Sequence, residues 1–181
     1  MCVLIYKPKG KILPTYDTLK LCYDANFDGC GFATLNGVIC KSLNFNDFYN
    51  QLITFTNIND DIMIHFRLAT HGSVKQTNCH PFFDKRFIFA HNGILPIASK
   101  NDKTDSELYF KQLLPLLYEQ GLKGQIVKNY INSTIGFSKF CIFDTEKKQI
   151  KLFGTFEKYG SCFFSNMRWL QRFYFIKKYV S

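Results

Sequence analysis

Apolar residues recur along this 181-residue chain with two different periods, and the order in which those periods alternate limits the folds open to it. Val3-Leu4-Ile5-Tyr6 has the length and character of a buried strand, closed by the turn Lys7-Pro8-Lys9-Gly10. Leu19, Cys22 and Tyr23 then fall at helical spacing, up to a polar turn at 26–29. Residues 32–35 and 38–40 flank Asn36-Gly37, a two-residue turn whose positive φ angles suit the twist of a hairpin. Phe45, Phe48, Tyr49, Leu52, Ile53 and Phe55 repeat every 3.6 residues behind a cap at Asn44 or Asn46. Strands are expected at 62–66 and 87–90, separated by a long polar segment of the kind that usually carries function. Thr104-Asp105-Ser106-Glu107 has the form of a capping box and opens a helix through Leu108, Leu113, Leu116 and Leu117, kinked at Pro115 and ended by Gly121. Alternation returns at 137–143, 150–153 and 162–164. Strands, helices and strands again, without repeat or linker, predict one α+β domain with two antiparallel sheets around helices.

Composition sharpens this reading where charge is concerned. The chain carries 23 Lys+Arg against 14 Asp+Glu, a net +9 that would suggest a nucleic-acid partner if it were spread evenly. It is not: residues 1–146 are nearly balanced at +2, and residues 147–181 hold the remaining +7. With 31 aromatic residues the chain has enough apolar surface to fold, which excludes disorder. The opening apolar run is too short for a signal peptide and no 18-residue apolar stretch occurs, so a cytoplasmic protein without a membrane span is expected. Seven cysteines with no C-x-x-C pair indicate neither a disulfide framework nor a zinc knuckle; most read as buried, reduced hydrophobes.

Cys2 stands apart. With Met1 removed, its thiol shares a residue with a free α-amine of pKa about 7.7–8.0, placing a nucleophile beside a general base. Further along, Arg67-Leu68-Ala69-Thr70-His71-Gly72, Asn78-Cys79-His80-Pro81, His91-Asn92-Gly93 and Thr104-Asp105-Ser106-Glu107 each place hydrogen-bonding groups at the end of a strand or in a loop. In that order these motifs resemble the class II, or N-terminal nucleophile, glutamine amidotransferases. The likeness extends to the opening M-C-x-L-x-Y-K-P-K-G and to the N-x-D-G-x-G-F-A segment at 26–33, both similar to small stand-alone bacterial and phage members.

The resemblance implies a four-layer αββα N-terminal nucleophile fold over residues 2–165, acting in the cytoplasm of a bacterium or phage-infected cell, with no cofactor. Cys2 is then the nucleophile that attacks L-glutamine. Asn92, through its side-chain amide, and Gly93, through its backbone N–H, form the oxyanion hole. Arg67 clamps the substrate α-carboxylate, a task for which a guanidinium fork is better suited than an ammonium; only four of the 23 basic residues are Arg. Asp105 holds the α-ammonium, Thr70 and His71 line the glutamine pocket, His80 braces its loop and Glu107 caps the helix. No residues are left for an ammonia-accepting domain, so a separate partner synthase, or free-standing glutaminase action, is expected.

Competing readings are weaker. His65, His71, Cys79, His80 and His91 match no common metal-ligand spacing. The segment 28–31 lacks the Lys and the following Ser/Thr of a phosphate loop. Residues 166–181 interleave aromatics with cations, which would suit stacking on bases or docking a partner, and a non-catalytic assembly or nucleic-acid role would use them. Aromatics packed on the core, with Lys reaching outward, is the preferred reading of that segment.

Overall fold

The computed structural model describes residues 2–69, 73–99 and 102–170. Six strands form the first sheet: β1 (Val3–Lys7), β2 (Cys30–Thr34), β3 (Ile39–Ser42), β4 (Ile62–Phe66), β9 (Glu157–Tyr159) and β10 (Cys162–Phe164), in the order β3-β2-β4-β1-β10-β9. Four more, β5 (Phe82–Phe83), β6 (Phe87–Asn92), β7 (Lys139–Asp144) and β8 (Gln149–Phe153), form the second in chain order. Every pairing in both sheets is antiparallel.

Side-chain alternation sorts the strands into layers, because successive residues of a strand point to opposite faces. Val3 and Ile5 of β1 join Phe32, Ile64 and Phe66 in a cluster completed by Leu19 and Cys22 of α1 (Tyr16–Asp24) and Phe45, Phe48 and Leu52 of α2 (Phe45–Phe55). The alternate residue, Leu4, faces the other way and meets Ala33, Met63, Ile88, Ala90, Cys141 and Phe143 between the two sheets. Phe87, Phe89, Phe140 and Ile142 cover the far face of the second sheet against α3 (Asp105–Gln120) and α4 (Gln125–Thr134). The expected four layers, helices, sheet, sheet and helices, are present.

Local chemistry explains the element ends. Thr15 accepts the Thr18 N–H ahead of α1, and Asn44, one of two expected caps, accepts from Asn46 and Asp47 ahead of α2. Thr104 accepts the Glu107 N–H at 3.2 Å, but the Glu107 carboxylate takes Lys111 at 2.6 Å, so only half of the expected capping box serves α3. The helix continues through Pro115 to Gly121. The hairpin at Asn36-Gly37 forms by a different route from the expected one. Its turn is closed by the Gly37 N–H on Thr34 O, and of the two turn residues only Gly37 has positive φ. Helix α4 has no counterpart in the sequence reading. Arg86 and Asp144 make a buried two-pronged ion pair at 2.9 and 2.6 Å that joins the β5–β6 turn to the end of β7.

Of the basic aromatic segment, residues 166–170 fall among those described, and Trp169 is buried against Phe164 and Tyr159. The remainder, 171–181, lies outside the described residues.

Candidate active site

Antiparallel pairing brings distant parts of the chain to one end of the first sheet. Val3 lies opposite Phe66, so Cys2, just before β1, comes beside Arg67 and Leu68, just after β4. The Leu68 N–H points at the Cys2 sulfur, 3.3 Å away, and the thiol lies 3.5 Å from Leu68 O. Phe66 is also opposite Cys30, and the residues before β2 fasten the same loop. Asp28 N–H donates to Arg67 O, Arg67 N–H to Gly29 O, and Ala69 N–H to the Asp28 carboxylate at 2.8 Å. The N-x-D-G segment therefore holds the arginine loop in place. Arg67 itself is 4% exposed, and its Nη1 donates to Ser73 O at 3.1 Å.

The second sheet supplies the facing wall. Gly93 follows β6 with φ +145°, and a Cβ there would run into Ser138, whose hydroxyl donates to Ile94 O. Asp105 opens α3; one carboxylate oxygen accepts the Leu95 N–H at 3.1 Å and the other accepts the Ser106 N–H at 2.8 Å. Cys2, Arg67, Gly93 and Asp105 line a single pocket, with Asn78, His80 and His91 among the other residues around it.

Asn92 is placed differently. It ends β6, is 2% exposed and is not among the pocket-lining residues. Its Nδ2 donates to Ser165 Oγ at 2.8 Å, while its Oδ1 has no partner among the described residues. Thr70 and His71, the expected pocket-lining pair, lie outside the described residues.

Electrostatics set the protonation states. Burial pushes the Cys2 thiol above its usual value, with the Leu68 N–H and Arg67 pulling in the opposite direction. The net shift is upward, so the sulfur carries its proton at neutral pH and needs a base to become a nucleophile. At the pocket three imidazoles crowd together, His65 and His80 with centroids 4.2 Å apart and His91 6.3 Å from His80. His65 Nε2 donates to His91 O at 3.0 Å, and His91 Nδ1 lies 2.8 Å from Ser106 Oγ; neither nitrogen of His80 has a partner among the described residues. Burial drives His65 down to about 3 and His91 to about 4, and holds His80 well below 6.5 with its two imidazole neighbours adding to the effect. All three are neutral at pH 7. Among the described residues no group of His, Cys, Asp and Glu is arranged to hold a metal ion.

Ser165 and Asn166 were not expected at the site. The Asn166 amide donates to Cys2 O at 2.9 Å. Both are small polar residues in a segment whose sequence signal was its charge, and only the pairing of β1 with β10 brings them here.

A cysteine at the opening of one of two face-to-face antiparallel sheets, with the pocket at the strand ends and helices on both outer faces, is the arrangement expected of the four-layer N-terminal nucleophile fold. Residues 46–135 match the family model of the class-II glutamine amidotransferases. Over 127 residues, 59% of this chain, the sequence is 31% identical to a glutamine–fructose-6-phosphate aminotransferase (isomerizing) of Methanococcus maripaludis. It spans 20% of that protein's length. The chain belongs to the class II glutamine amidotransferases. Among solved structures, a glutamine phosphoribosylpyrophosphate amidotransferase from B. subtilis, determined with ADP and GMP, aligns with 91% of this chain and 41% of its own, at 16% identity and a TM-score of 0.45. The span matched by the family model contains Arg67, Asn92, Gly93 and Asp105; Cys2 precedes it. No helix among the described residues is long and apolar enough to cross a membrane.

Proposed function

We propose that this chain hydrolyses the side-chain amide of L-glutamine through a thioester on Cys2 and supplies the ammonia to an acceptor held elsewhere. One observation carries the reading: Cys2, Arg67, Gly93 and Asp105, spread over a hundred residues of sequence, line the same pocket. A buried cation and a carboxylate anchored by its N-terminal helix position are the complement of an amino acid's α-carboxylate and α-ammonium. The side-chain amide of a glutamine held by both reaches toward the sulfur.

The reaction then needs only groups of this chain and water. With Met1 removed, the α-amine of Cys2 takes the thiol proton as sulfur adds to the amide carbon, a transfer the raised thiol makes necessary. The carbonyl oxygen gains the negative charge and is stabilised by the Gly93 N–H and an Asn92 amide N–H. Collapse breaks the C–N bond, the ammonium formed on Cys2 returns its proton to nitrogen, and ammonia leaves a γ-glutamyl thioester. Water, deprotonated by the same amine, adds to the thioester, and glutamate departs with the thiol restored.

Protein beginning at Cys2 is expected to release glutamate from glutamine, read by a coupled glutamate assay. Cys2→Ala should abolish release, and Arg67→Lys should raise KM about tenfold or more with a smaller effect on kcat, since a point charge replaces a fork. Release that survives Cys2→Ala would overturn the reading. So would Met1 retained on protein from its native cell by intact mass, because an acylated amine cannot serve as base. The acceptor is proposed to lie on another unit: the aminotransferase relative is about five times longer than the stretch matched here.

A further inference from the structure

We infer that Ser165 is a positioning residue for the hydrolysis proposed above: it holds the Asn92 amide in register with the strand that carries Cys2. The inference rests on that reading of Asn92 and Cys2 and adds a residue to it. Three contacts carry it. Ser165 directly follows β10, and its backbone N–H donates to Leu4 O at 2.8 Å. Its hydroxyl oxygen accepts the Leu4 N–H at 2.9 Å, so Ser165 is tied on both sides to a residue two positions from the nucleophile. The same oxygen accepts from Asn92 Nδ2 at 2.8 Å, across the gap between the two sheets.

Nothing else among the described residues holds that amide. Its Oδ1 is buried without a partner among them, so within the described residues the Ser165 contact is the hydrogen bond that fixes the side-chain torsion of Asn92. An amide nitrogen has two hydrogens, and spending one on Ser165 leaves one for an oxyanion. A donor that stabilises charge only in the transition state is worth its full effect when it is aimed before the reaction begins. The neighbouring residue reinforces the frame: Asn166 Nδ2 donates to Cys2 O, while Asn166 Oδ1 accepts the Arg168 N–H at 3.1 Å. One dipeptide thus grips the nucleophile's residue on one side and the candidate oxyanion donor on the other.

The test is a double-mutant cycle on protein that begins at Cys2 and whose Cys2-dependent glutamine hydrolysis has first been established. Ser165→Ala is expected to lower kcat by about tenfold to a hundredfold, short of the loss of a whole oxyanion donor, with KM within about twofold. Ser165→Thr, which keeps the hydroxyl, should recover most of it. In an Asn92→Ala background the same Ser165→Ala change should cost nothing further, because it has no amide left to aim. Alkylation of Cys2 by iodoacetamide, which builds no oxyanion, should proceed at the wild-type rate in Ser165→Ala. A Ser165→Ala enzyme with wild-type kcat overturns the inference while leaving the glutaminase reading intact. Additive losses with Asn92→Ala, or parallel losses of alkylation and kcat, overturn it too, since they describe a general loosening of the fold. Wild-type protein without Cys2-dependent hydrolysis overturns both readings.

Discussion

Gly93 sits at φ +145° directly after β6, with Ser138 occupying the space a side chain would need. Two demands meet there, a backbone turn that L-residues rarely adopt and a close approach of two chain segments. Gly93→Ala is expected to destabilise the protein by about 1–3 kcal/mol in urea unfolding and to lower kcat by about a hundredfold or more, the second because the displaced N–H is a proposed oxyanion donor. A variant that lost stability but kept kcat would remove the backbone N–H from the mechanism. Single residues were also where the sequence was most legible. Cys2, Arg67, Gly93 and Asp105 stand in ordered motifs, and their types match the chemistry of a bound amino acid. Ser165 and Asn166 were not assigned to the site, because a serine or an asparagine is ordinary anywhere and gains meaning only from what a strand pairing sets beside it. The scarcity of arginine was informative but ambiguous: one of the four, Arg67, lines the pocket, and another, Arg86, is consumed in a buried structural ion pair.

Helix α3 delivers Asp105 to the pocket, and its first turn is anchored by the Thr104 hydroxyl. Thr104→Ala should therefore cost about 1 kcal/mol of stability and, by letting the turn that carries Asp105 fray, raise the KM for glutamine more than it lowers kcat. Urea midpoints and steady-state kinetics on the same preparation check both halves; a change in kcat alone would detach Asp105 from substrate binding. Most elements were readable from apolar periodicity, since strands such as Ile62–Phe66 and helices such as Phe45–Phe55 have strong patterns and clear caps. Helix α4 was not. Only Val127 and Ile131 of its ten residues are buried, and its N-cap is Gly124, with no side-chain hydrogen bond. Ile126, Val127, Tyr130 and Ile131 make two short apolar pairs within ten residues and lack a side-chain cap, which does not distinguish a helix from a loop until a core is there to receive them. The hairpin at Gly37 was located correctly, but its conformation followed from the hydrogen bond to Thr34 and not from the Asn-Gly pair alone.

At the scale of the molecule, three neutral histidines lie buried around the pocket, His65 on β4, His91 on β6 and His80 just before β5, and the unfolded chain would protonate each of them near pH 6.5. Because burial lowers the folded values of His65, His80 and His91, the folded state binds fewer protons below that pH, and stability falls as pH falls. Between about pH 6.5 and 5, above the main carboxylate titrations, each site contributes a slope of up to about 1.4 kcal/mol per pH unit. Urea midpoints across that range should drop accordingly, and His80→Phe should remove one proton's worth of the slope; a flat profile would mean that the cluster is charged when folded. The sheet order has a consequence in time as well as in space. Strand β1 lies between β4 and β10, and 95 residues of chain separate Phe66 of β4 from Cys162 of β10. During synthesis β1 keeps one edge open after β4 has emerged, and the framework around Cys2 closes only when Cys162–Phe164 clears the ribosome. A ribosome that stops before β10 releases a chain with Cys2 in place and without the Ser165 and Asn166 contacts that surround it.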